Sequence, residues 1–586
     1  MCGILNIINK KKEPINISRA NRALSKLYWR GPDLKAVYQP EKYIFLGQTV
    51  LSLVGNIQSE RQGSFLWSDS KRFYTNFNGE IYNYQDLANQ YLKNKLNIES
   101  KTTDTEVLAK LHDELDLIQI PSKLDGMYVY SIYDQSSKRI YFTRDMQGEK
   151  TLYLYEDDDF FIASSQIDAI KEFIPNLKIN SDALKDYFHT RHFLQINRTA
   201  YQKVKQLKIG STGCLDLSTM SYKIIHQEKV HDLVTETKMN QLNKLRESDL
   251  VEMLDDLLSQ CVRQMVPTDR KFASVLSGGI DSSLLSAISI KYRRPDVLVA
   301  INHIGKEHIS NDLTKFENKI NQKISLLNVT PSLYFSEINK CILSLGSPLL
   351  SHSFVGQSIQ SRHVMNEGCK ALFGGEGADE LFGGYECYLS PALNTHTSPS
   401  FYSGFFEQEN DFFQYNADQL RSELHECWVQ ALQTYNFIND LSERVQQAQM
   451  LCDFNTQVAN VAMRGADVTS MQWSIETRSI FVRKPIVEFA LNLPVKYKLN
   501  SAHPNPLMRT KYLLKKVFEK YLGTDLILNK QGFSGFPNES AVMLGSFDDF
   551  LSVDFLGISK NKLKGKMSRE LQWKIINTEH FLRNSI

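Results

Sequence analysis

The chain has 586 residues, 42% hydrophobic and 23% charged, a composition that excludes a largely disordered protein and can fill several hydrophobic cores. The 68 basic and 66 acidic residues leave a formal net charge of +2, too weak a field to indicate a nucleic-acid-binding protein. The sequence contains no run of eighteen apolar residues, which argues against a membrane-spanning segment.

The eight cysteines are scattered along the chain, with no CxxC pair and no cysteine–histidine cluster at zinc spacing. This pattern is typical of a reduced chain without a structural metal. The only apolar stretch at the amino terminus runs from Ile4 to Ile8, too short for the core of a secretion signal. We therefore expect a cytoplasmic protein with neither a membrane nor a nucleic acid as partner.

Cys2 follows only the initiator methionine, so removal of Met1 would place a thiol and a free α-amine on one residue. The two groups have ordinary pKa values of about 8.5 and about 8, so the amine can act as the base for the thiol. A distant histidine is then not required. On position alone, a small residue in an edge strand explains Cys2 equally well.

The first 215 residues alternate short β-type segments with turns, and two helical stretches lie near residues 17–28 and 104–116. This pattern predicts antiparallel sheets with helices. The β-type segments include residues 44–46, 73–77, 127–133, 139–143 and 152–155. Residues 225–248 are polar and contain no apolar strands, so we predict a first domain over 1–215, a linker over 216–248 and a second domain over 249–586.

Beyond the linker, β-type and helical segments alternate, which predicts a parallel α/β sheet with ligand sites at the strand ends. The β-type runs are 272–276, 297–301, 324–327 and 371–373, and the helical runs are 250–265, 282–292 and 354–367. Residues 386–447 are rich in aromatic and polar residues. This composition fits a helical insertion or lid, and it fits a surface elaboration equally well.

The predicted strand 272–276 runs directly into a turn of glycine and hydroxyl residues, Ser277-Gly-Gly-Ile-Asp281-Ser-Ser, followed by an apolar helix. Glycines let backbone amides approach an anion closely, and the helix amino terminus adds positive field. The turn is therefore predicted to cradle a pyrophosphate, although a simple helix cap is the alternative. It lacks the lysine of a Walker A loop, so we expect Mg²⁺ on Asp281 and a distant lysine to neutralise the phosphates.

A second glycine-rich loop, residues 374–385, follows the predicted strand 371–373 and carries Glu376, Asp379 and Glu380. Here one carboxylate can accept a proton while another binds a metal ion. The alternative is a solvated turn, which fits poorly with the apolar Leu381 and Phe382. A third element, residues 530–534, begins with Lys530, which could stabilise charge on the phosphates. Alone, Lys530 would be read as a surface lysine.

Together these motifs resemble the glutamine-dependent asparagine synthetase family, in which a class II, amino-terminal-nucleophile glutaminase is fused to a pyrophosphatase-loop ATP synthetase. The resemblance covers nearly the whole chain. It rests on residues 2–4, 30–33, 78–83, 103–106, 124–127, 144–153, 277–283, 374–385, 475–478 and 530–534. It implies a four-layer αββα sandwich followed by an α/β domain of the adenine nucleotide α-hydrolase type with helical elaborations.

For the first domain, the resemblance implies that Cys2 attacks the side-chain amide of glutamine. The side chain of Asn78 and the backbone N–H of Gly79 would form the oxyanion hole. Glu80 and Asp104 would hold the glutamine α-amine. The implied glutamine-binding residues are Val50, Leu51, Ser52, Leu53, Val54, Asn78, Gly79, Glu80 and Asp104.

For the second domain, the resemblance implies that channelled ammonia meets a carboxylate, aspartate by default, that ATP has adenylated. Glu376 would deprotonate the ammonia, Lys530 would contact the phosphates, and Asp281 and Asp379 would bind Mg²⁺. An amide, AMP and pyrophosphate would leave. The implied ATP-binding residues are Val275, Ser277, Gly278, Gly279, Asp281, Ser282, Ile301, Gly374 and Gly375.

The chain departs from the family pattern at both substrates. Val50 stands where an arginine is expected to pair with the glutamine carboxylate, which would weaken glutamine binding unless another residue such as Arg30 substitutes. Aspartate-specific members of the family have an arginine in the segment that corresponds to residues 346–352, whereas this chain has none there. Residues 479–483 also lack the proline and aspartate that the family usually has.

These departures leave other readings open. The acceptor can be another carboxylate, such as a sugar acid, a peptide or a secondary-metabolite precursor, and the reaction can be a ring closure. A non-catalytic nucleotide-binding regulator and a simple amino-terminal hydrolase are further alternatives. The expected partners are small molecules, namely glutamine, ATP and the carboxylate, and a homodimer stays open as the assembly.

Overall fold

We describe the fold from a computed structural model of the chain. The residues that the structure describes are 2–52, 66–93, 102–190, 198–302, 309–390, 418–528, 549–559 and 568–585. Three of the predicted site residues, Leu53, Val54 and Lys530, lie outside these ranges. Among the described helices, none combines the length and apolar character needed to cross a bilayer.

The first half contains two antiparallel sheets, with strand orders β2-β3-β1-β8-β7-β9 and β11-β10-β6-β5-β4. The strands are β1 (Cys2–Asn9), β2 (Leu34–Glu41), β3 (Ile44–Val50), β4 (Phe73–Ile81), β5 (Gly126–Asp134), β6 (Arg139–Arg144), β7 (Tyr153–Glu156), β8 (Phe160–Ser164), β9 (Val204–Gln206), β10 (Ser211–Asp216) and β11 (Ser221–Gln227). The helices are α1 (Ile17–Ser25), α2 (Tyr84–Tyr91), α3 (Asp104–Glu114), α4 (Ile120–Lys123), α5 (Ile167–Phe173) and α6 (Ser181–Thr190).

Side-chain alternation along β1 shows how the layers stack. Ile4 and Ile8 belong to a core cluster shared by the two sheets, whereas Leu5 and Ile7 belong to the cluster that packs against α1 and α5. On the second sheet, Phe77 packs against α3. Successive residues of a strand point to opposite faces, so one strand serves two cores. The predicted αββα sandwich is confirmed.

β10 and β11 pair with each other at the edge of the second sheet, so that sheet continues to Gln227. The predicted linker 216–248 therefore contains the last strand of the sandwich together with the helix Glu236–Asn243. β11 is an edge strand whose side chains are all exposed or half-buried, so side-chain polarity gives little sign of it in the sequence. The division into domains itself stays a prediction.

The second half is built on a parallel sheet with strand order β14-β13-β12-β15-β16. Its strands are β12 (Phe272–Val275), β13 (Val297–Asn302), β14 (Ile324–Asn328), β15 (Ala371–Gly374) and β16 (Glu476–Ser479). The parallel sheet is confirmed. β12 and β15 are neighbours, so the two glycine-rich loops that follow them leave the same edge of the sheet.

Helices cover this sheet and extend beyond it. They are α7 (Glu236–Asn243), α8 (Glu247–Met265), α9 (Ile280–Tyr292), α10 (Ile309–Ile320), α11 (Pro331–Leu345), α12 (Ser353–Asn366), α13 (Ala378–Phe382), α14 (Asp418–Thr434), α15 (Leu441–Asp453), α16 (Met463–Met471), α17 (Lys484–Asn492), α18 (Tyr512–Leu522), α19 (Leu551–Leu556) and α20 (Arg569–Arg583). A π-helix, Phe454–Ala462, joins α15 to α16. Within the predicted insertion, residues 391–417 lie outside the described part.

Candidate active sites

Cys2 begins the central strand β1 and is buried opposite Val50 of β3. Its backbone N–H donates a 3.0 Å hydrogen bond to Asn78 Oδ1. Burial raises the pKa of the Cys2 thiol, although the positive amino terminus and hydrogen bonds from the Leu51 backbone and the Gln48 side chain oppose this. The thiol therefore lies among hydrogen-bond donors rather than in a purely apolar core.

Asn78 lies on β4, where it is buried and directly linked to Cys2 through Oδ1. Its Nδ2 group is buried and has no hydrogen-bond partner among the described residues. A buried amide without a partner costs free energy, so a ligand oxygen is its natural acceptor. The next residue, Gly79, cannot be replaced without strain, because a Cβ atom there would lie 2.0 Å from Met127 O.

The two acids expected to hold the glutamine amine, Glu80 and Asp104, are both buried. Asp104 begins α3, and its carboxylate accepts hydrogen bonds from the backbone N–H groups of Ile81 at 3.0 Å and Thr105 at 2.7 Å. Burial, followed by the charge of Asp104, raises the pKa of Glu80 to about 8. Burial also raises the pKa of Asp104, to about 6. Burial thus favours the protonated forms of both acids, and the charge of Asp104 adds to this effect at Glu80.

No arginine occupies the place expected for the glutamine carboxylate. Val50 is buried, and Ser52, two residues on, donates its backbone N–H to Asp33 Oδ2 at 2.8 Å. Arg30, the candidate substitute, uses its side chain elsewhere: Nε donates to Cys2 O at 3.1 Å and Nη2 donates to both Asp467 oxygens at 2.9 Å. The structure thus directs two of the three Arg30 nitrogens to partners inside the protein.

In the second half, the serine–glycine turn closes on itself at the amino terminus of α9. Ser277 contacts Ser282 through both its backbone N–H (3.2 Å) and its hydroxyl (2.9 Å), and Gly279 N–H donates to Ser277 Oγ at 3.4 Å. Gly278 has a left-handed φ of 82°, which a side chain would strain. Val275 ends β12, and Ile301 lies next to the end of the neighbouring β13. The turn presents backbone amides at a helix start, as anion binding requires.

The two glycine-rich loops meet. A Cβ atom at Gly375 would lie 3.1 Å from Asp281 Cβ and 3.3 Å from the backbone nitrogen of Ser282. Glycine at position 375 is thus what allows the acidic loop to lie against the serine–glycine turn.

Lys511 joins these loops, and sequence analysis missed it. Its Nζ lies 2.8 and 2.6 Å from the Asp281 oxygens and 2.7 Å from Asp379 Oδ1. Burial lowers the pKa of Lys511, but the two carboxylates outweigh burial and raise it above its ordinary value. A lysine just before a helix carries no local signal that separates it from a surface lysine.

Glu376 lies in the loop after β15, and its carboxylate contacts Ser479 at the end of the neighbouring strand β16. Ser479 Oγ donates to its Oε2 at 3.3 Å, and Gln357 Nε2 on α12 lies 3.5 Å from its Oε1. Burial raises the pKa of Glu376, opposed by hydrogen bonds to its own backbone and to Ser479. The Oε1 atom of Gln357 is buried and has no partner among the described residues. No motif in the sequence points to Gln357.

Charged side chains of the second half reach the first-half site. Arg478 on β16 donates to Glu476 Oε1 at 2.6 Å, and its Nη2 lies 3.6 Å from Glu80 Oε2. Next along the chain, Arg483 donates its Nε to Asp125 Oδ1 at 3.0 Å. The 475–478 motif thus forms the edge strand of the sheet and also contacts one of the predicted glutamine ligands.

Comparison with known families adds a decisive observation to this geometry. Residues 253–552 match the family model described as Asparagine synthase, and residues 1–225 match the model described as Glutamine amidotransferase domain. The chain belongs to the asparagine synthase family. It is therefore an enzyme of the ligase class, with an amidotransferase domain at its amino terminus.

Similar members of the asparagine synthase family align over most of this chain. Asparagine synthetase [glutamine-hydrolyzing] 1 of Bacillus subtilis is 24% identical over 578 residues, which cover 92% of this chain and 87% of the relative. Asparagine synthetase B [glutamine-hydrolyzing] of Escherichia coli is 24% identical over 563 residues, covering 89% and 80%.

Proposed function

We propose that this enzyme hydrolyses glutamine, adenylates a carboxylate with ATP, and converts the adenylate to an amide with the released ammonia. Glutamate, AMP and pyrophosphate are the other products, and aspartate is the default acceptor. The observation that carries the proposal is the convergence of Asp281 and Asp379, from two separate loops, on the single cation of Lys511. Two carboxylates around one ammonium group, at the carboxyl ends of neighbouring parallel strands, suit the binding of a nucleoside triphosphate and its metal ion.

In the first half, Cys2 is the nucleophile that attacks the glutamine amide. The oxyanion that forms is stabilised by Asn78 Nδ2, which is buried and lacks another partner among the described residues, and by the backbone N–H of Gly79. Glu80 and Asp104 hold the α-amine of glutamine, which is consistent with their burial as a pair.

In the second half, the turn formed by Ser277, Gly278, Gly279 and Ser282 holds the phosphates of ATP, with Gly374 and Gly375 closing the site from the other loop. Val275 and Ile301 contribute the strand ends beside it. Glu376 accepts a proton from ammonia as the amine attacks the adenylate, and its raised pKa suits a proton acceptor close to neutral pH. Lys511 and Lys530 contact the phosphates.

Mg²⁺ fits the residues of this site, because Asp281 and Asp379 already face one cationic group. These two carboxylates would hold the ion. When bound, it would neutralise charge on the phosphates.

The test is a pyrophosphate-release screen across candidate carboxylates, with ATP, magnesium and ammonia in place of glutamine. We expect one acid to give pyrophosphate and AMP in equal amounts, and the matched Glu376→Gln protein to lose amide formation. Absence of pyrophosphate with every acid would contradict the proposal and favour a simple hydrolase.

A second candidate is the same chemistry on a carboxylate other than aspartate, with an impaired glutaminase. It is favoured by Val50 in the glutamine site and by the uncharged side chains Gln357 and Ser479, which are the hydrogen-bond partners of Glu376. In the screen, a product with a sugar acid, a peptide or another acid but none with aspartate would select this candidate.

A further inference from the structure

A buried ionic cluster joins the two halves of the enzyme next to the nucleophile. Arg30 and Lys150 come from the first half and Asp467 comes from α16 of the second, and each side chain is at most 2% exposed. Arg30 Nη2 lies 2.9 Å from both Asp467 oxygens, and Lys150 Nζ lies 3.2 Å from Oδ1. Burial raises the pKa of Asp467, but the two cations outweigh it and hold the pKa below its ordinary value.

The ionic cluster contacts the backbone carbonyl of Cys2 through Arg30. Arg30 Nε donates to Cys2 O at 3.1 Å, while Cys2 N–H donates to Asn78 Oδ1 at 3.0 Å. Both polar backbone groups of the nucleophilic residue are therefore held by side chains. The guanidinium group is planar and rigid, so binding Nη2 to Asp467 also sets the direction in which Nε points.

The helix that carries Asp467 is itself firmly anchored. A Cβ atom at Gly465 would lie 2.0 Å from Phe354 Cε1 on α12, so α16 packs directly on that ring. Arg464 Nη2 donates to Leu345 O at 3.1 Å. The position of the helix that carries Asp467 is thus supported by packing and hydrogen bonds within the second half.

We propose that Asp467 is a positioning residue for glutamine hydrolysis: it holds Arg30 against the carbonyl of Cys2, so the nucleophile of the first half is aligned by a helix of the second. This inference rests on the proposed function of Cys2. In this role Asp467 acts through Arg30 and not on the substrate itself. Its effect therefore belongs to turnover of glutamine and not to amide synthesis from free ammonia.

The test is Asp467→Asn in the full-length enzyme, which keeps the side-chain shape and removes the charge. We expect kcat for glutamine hydrolysis to fall by about tenfold or more, with KM for glutamine within about twofold, since misalignment affects the reacting atom more than binding. Ammonia-dependent pyrophosphate release stays within about twofold of wild type.

The matched control is Asp125→Asn. This variant weakens a different ion pair between the halves, the one between Asp125 and Arg483, and within the described part of the chain Asp125 has no hydrogen bond with Cys2. We expect this variant to keep both activities. An unchanged glutaminase kcat in Asp467→Asn overturns the inference. Equal loss of both activities in Asp467→Asn, or equal loss of glutaminase kcat in Asp125→Asn, also overturns it, because either result describes a general interface effect.

If Asp467→Asn does not fold, Arg30→Lys decides. Its single ammonium can pair with Asp467 but cannot also hold the Cys2 carbonyl, so glutaminase kcat falls while ammonia-dependent activity is kept. Full glutaminase kcat in Arg30→Lys overturns the inference. A wild-type enzyme that hydrolyses no glutamine at all contradicts the proposed function instead, which separates the two failures.

Discussion

The ammonium of Lys511 lies 2.6 and 2.8 Å from the two carboxylate oxygens of Asp281, although 230 residues separate them along the chain. The same ammonium reaches Asp379 at 2.7 Å. A single cation therefore pairs with both acids that we propose as magnesium ligands, and it links the two glycine-rich loops.

Lys511→Met leaves these two acids facing each other without a cation. We expect the free energy of unfolding to fall by about 1–3 kcal/mol without magnesium, less than for a fully buried pair because both carboxylates are partly exposed. Chemical denaturation with and without Mg²⁺ measures this, and the ion should restore part of the loss.

Lys516→Met on the same helix is the control, since its pair with Glu519 is half-exposed and should contribute only about 0.5 kcal/mol. If the two variants lose the same stability, the Lys511 cluster has no special role.

Cys2→Ala should abolish glutamine-dependent turnover and leave ammonia-dependent turnover intact, because the thiol acts only on glutamine. The measurement is pyrophosphate release with each nitrogen source. Cys387→Ala, which removes an exposed thiol, serves as the control and should keep both activities. Equal loss of both activities in Cys2→Ala would refute the division of work between the halves.

Val50 predicts an unusually high glutamine requirement. A charge-assisted hydrogen bond contributes about 1.5–3 kcal/mol, so its absence weakens binding by about tenfold to a hundredfold. Calorimetric titration of glutamine into Cys2→Ala protein, which cannot turn over, measures the affinity directly. Tight binding would show that another group replaces the missing arginine.

Glu80 predicts a pH dependence of stability. Its folded pKa, about 8, is raised above the ordinary value of 4.5, so the folded state binds this proton more tightly than the unfolded state does. The stabilisation from the protonated form is complete below pH 4.5 and is lost as the pH rises towards 8.

Relative to Glu80→Gln, wild-type protein should therefore lose unfolding free energy across that window. Denaturation of both proteins between pH 5 and 9 checks the sign, because Glu80→Gln keeps the shape without the proton equilibrium. A constant difference between them would mean that Glu80 stays ionised throughout.

Gln357 should accept a hydrogen bond from an amine or hydroxyl group of the carboxylate substrate, because its buried Oε1 has no partner among the described residues and its Nε2 lies beside Glu376. Gln357→Leu is expected to raise KM for the carboxylate by about tenfold, as loss of one hydrogen bond at a buried acceptor predicts. KM for ATP and glutamine hydrolysis should not change. A shift in KM for ATP of the same size would place Gln357 at the nucleotide instead.

The sequence by itself determined the features that depend on near neighbours. A β-type segment followed by glycines and a helix start predicted the anion-binding turn at Ser277, and the alternation of β-type and helical segments predicted the parallel sheet. The order of the motifs predicted the family and the αββα and parallel-sheet architecture, and Asn78 and Gly79 could be named from their motif alone.

Only the tertiary structure decided which distant residues share a site. Arg30 and Asp467 meet across 437 residues, and Lys511 meets two loops whose motifs contain no trace of it. The predicted linker hid an edge strand because exposed edges carry polar side chains. Local patterns report the burial and turn chemistry of adjacent residues, whereas a long-range contact depends on how the sheets and helices pack, and no short segment encodes that.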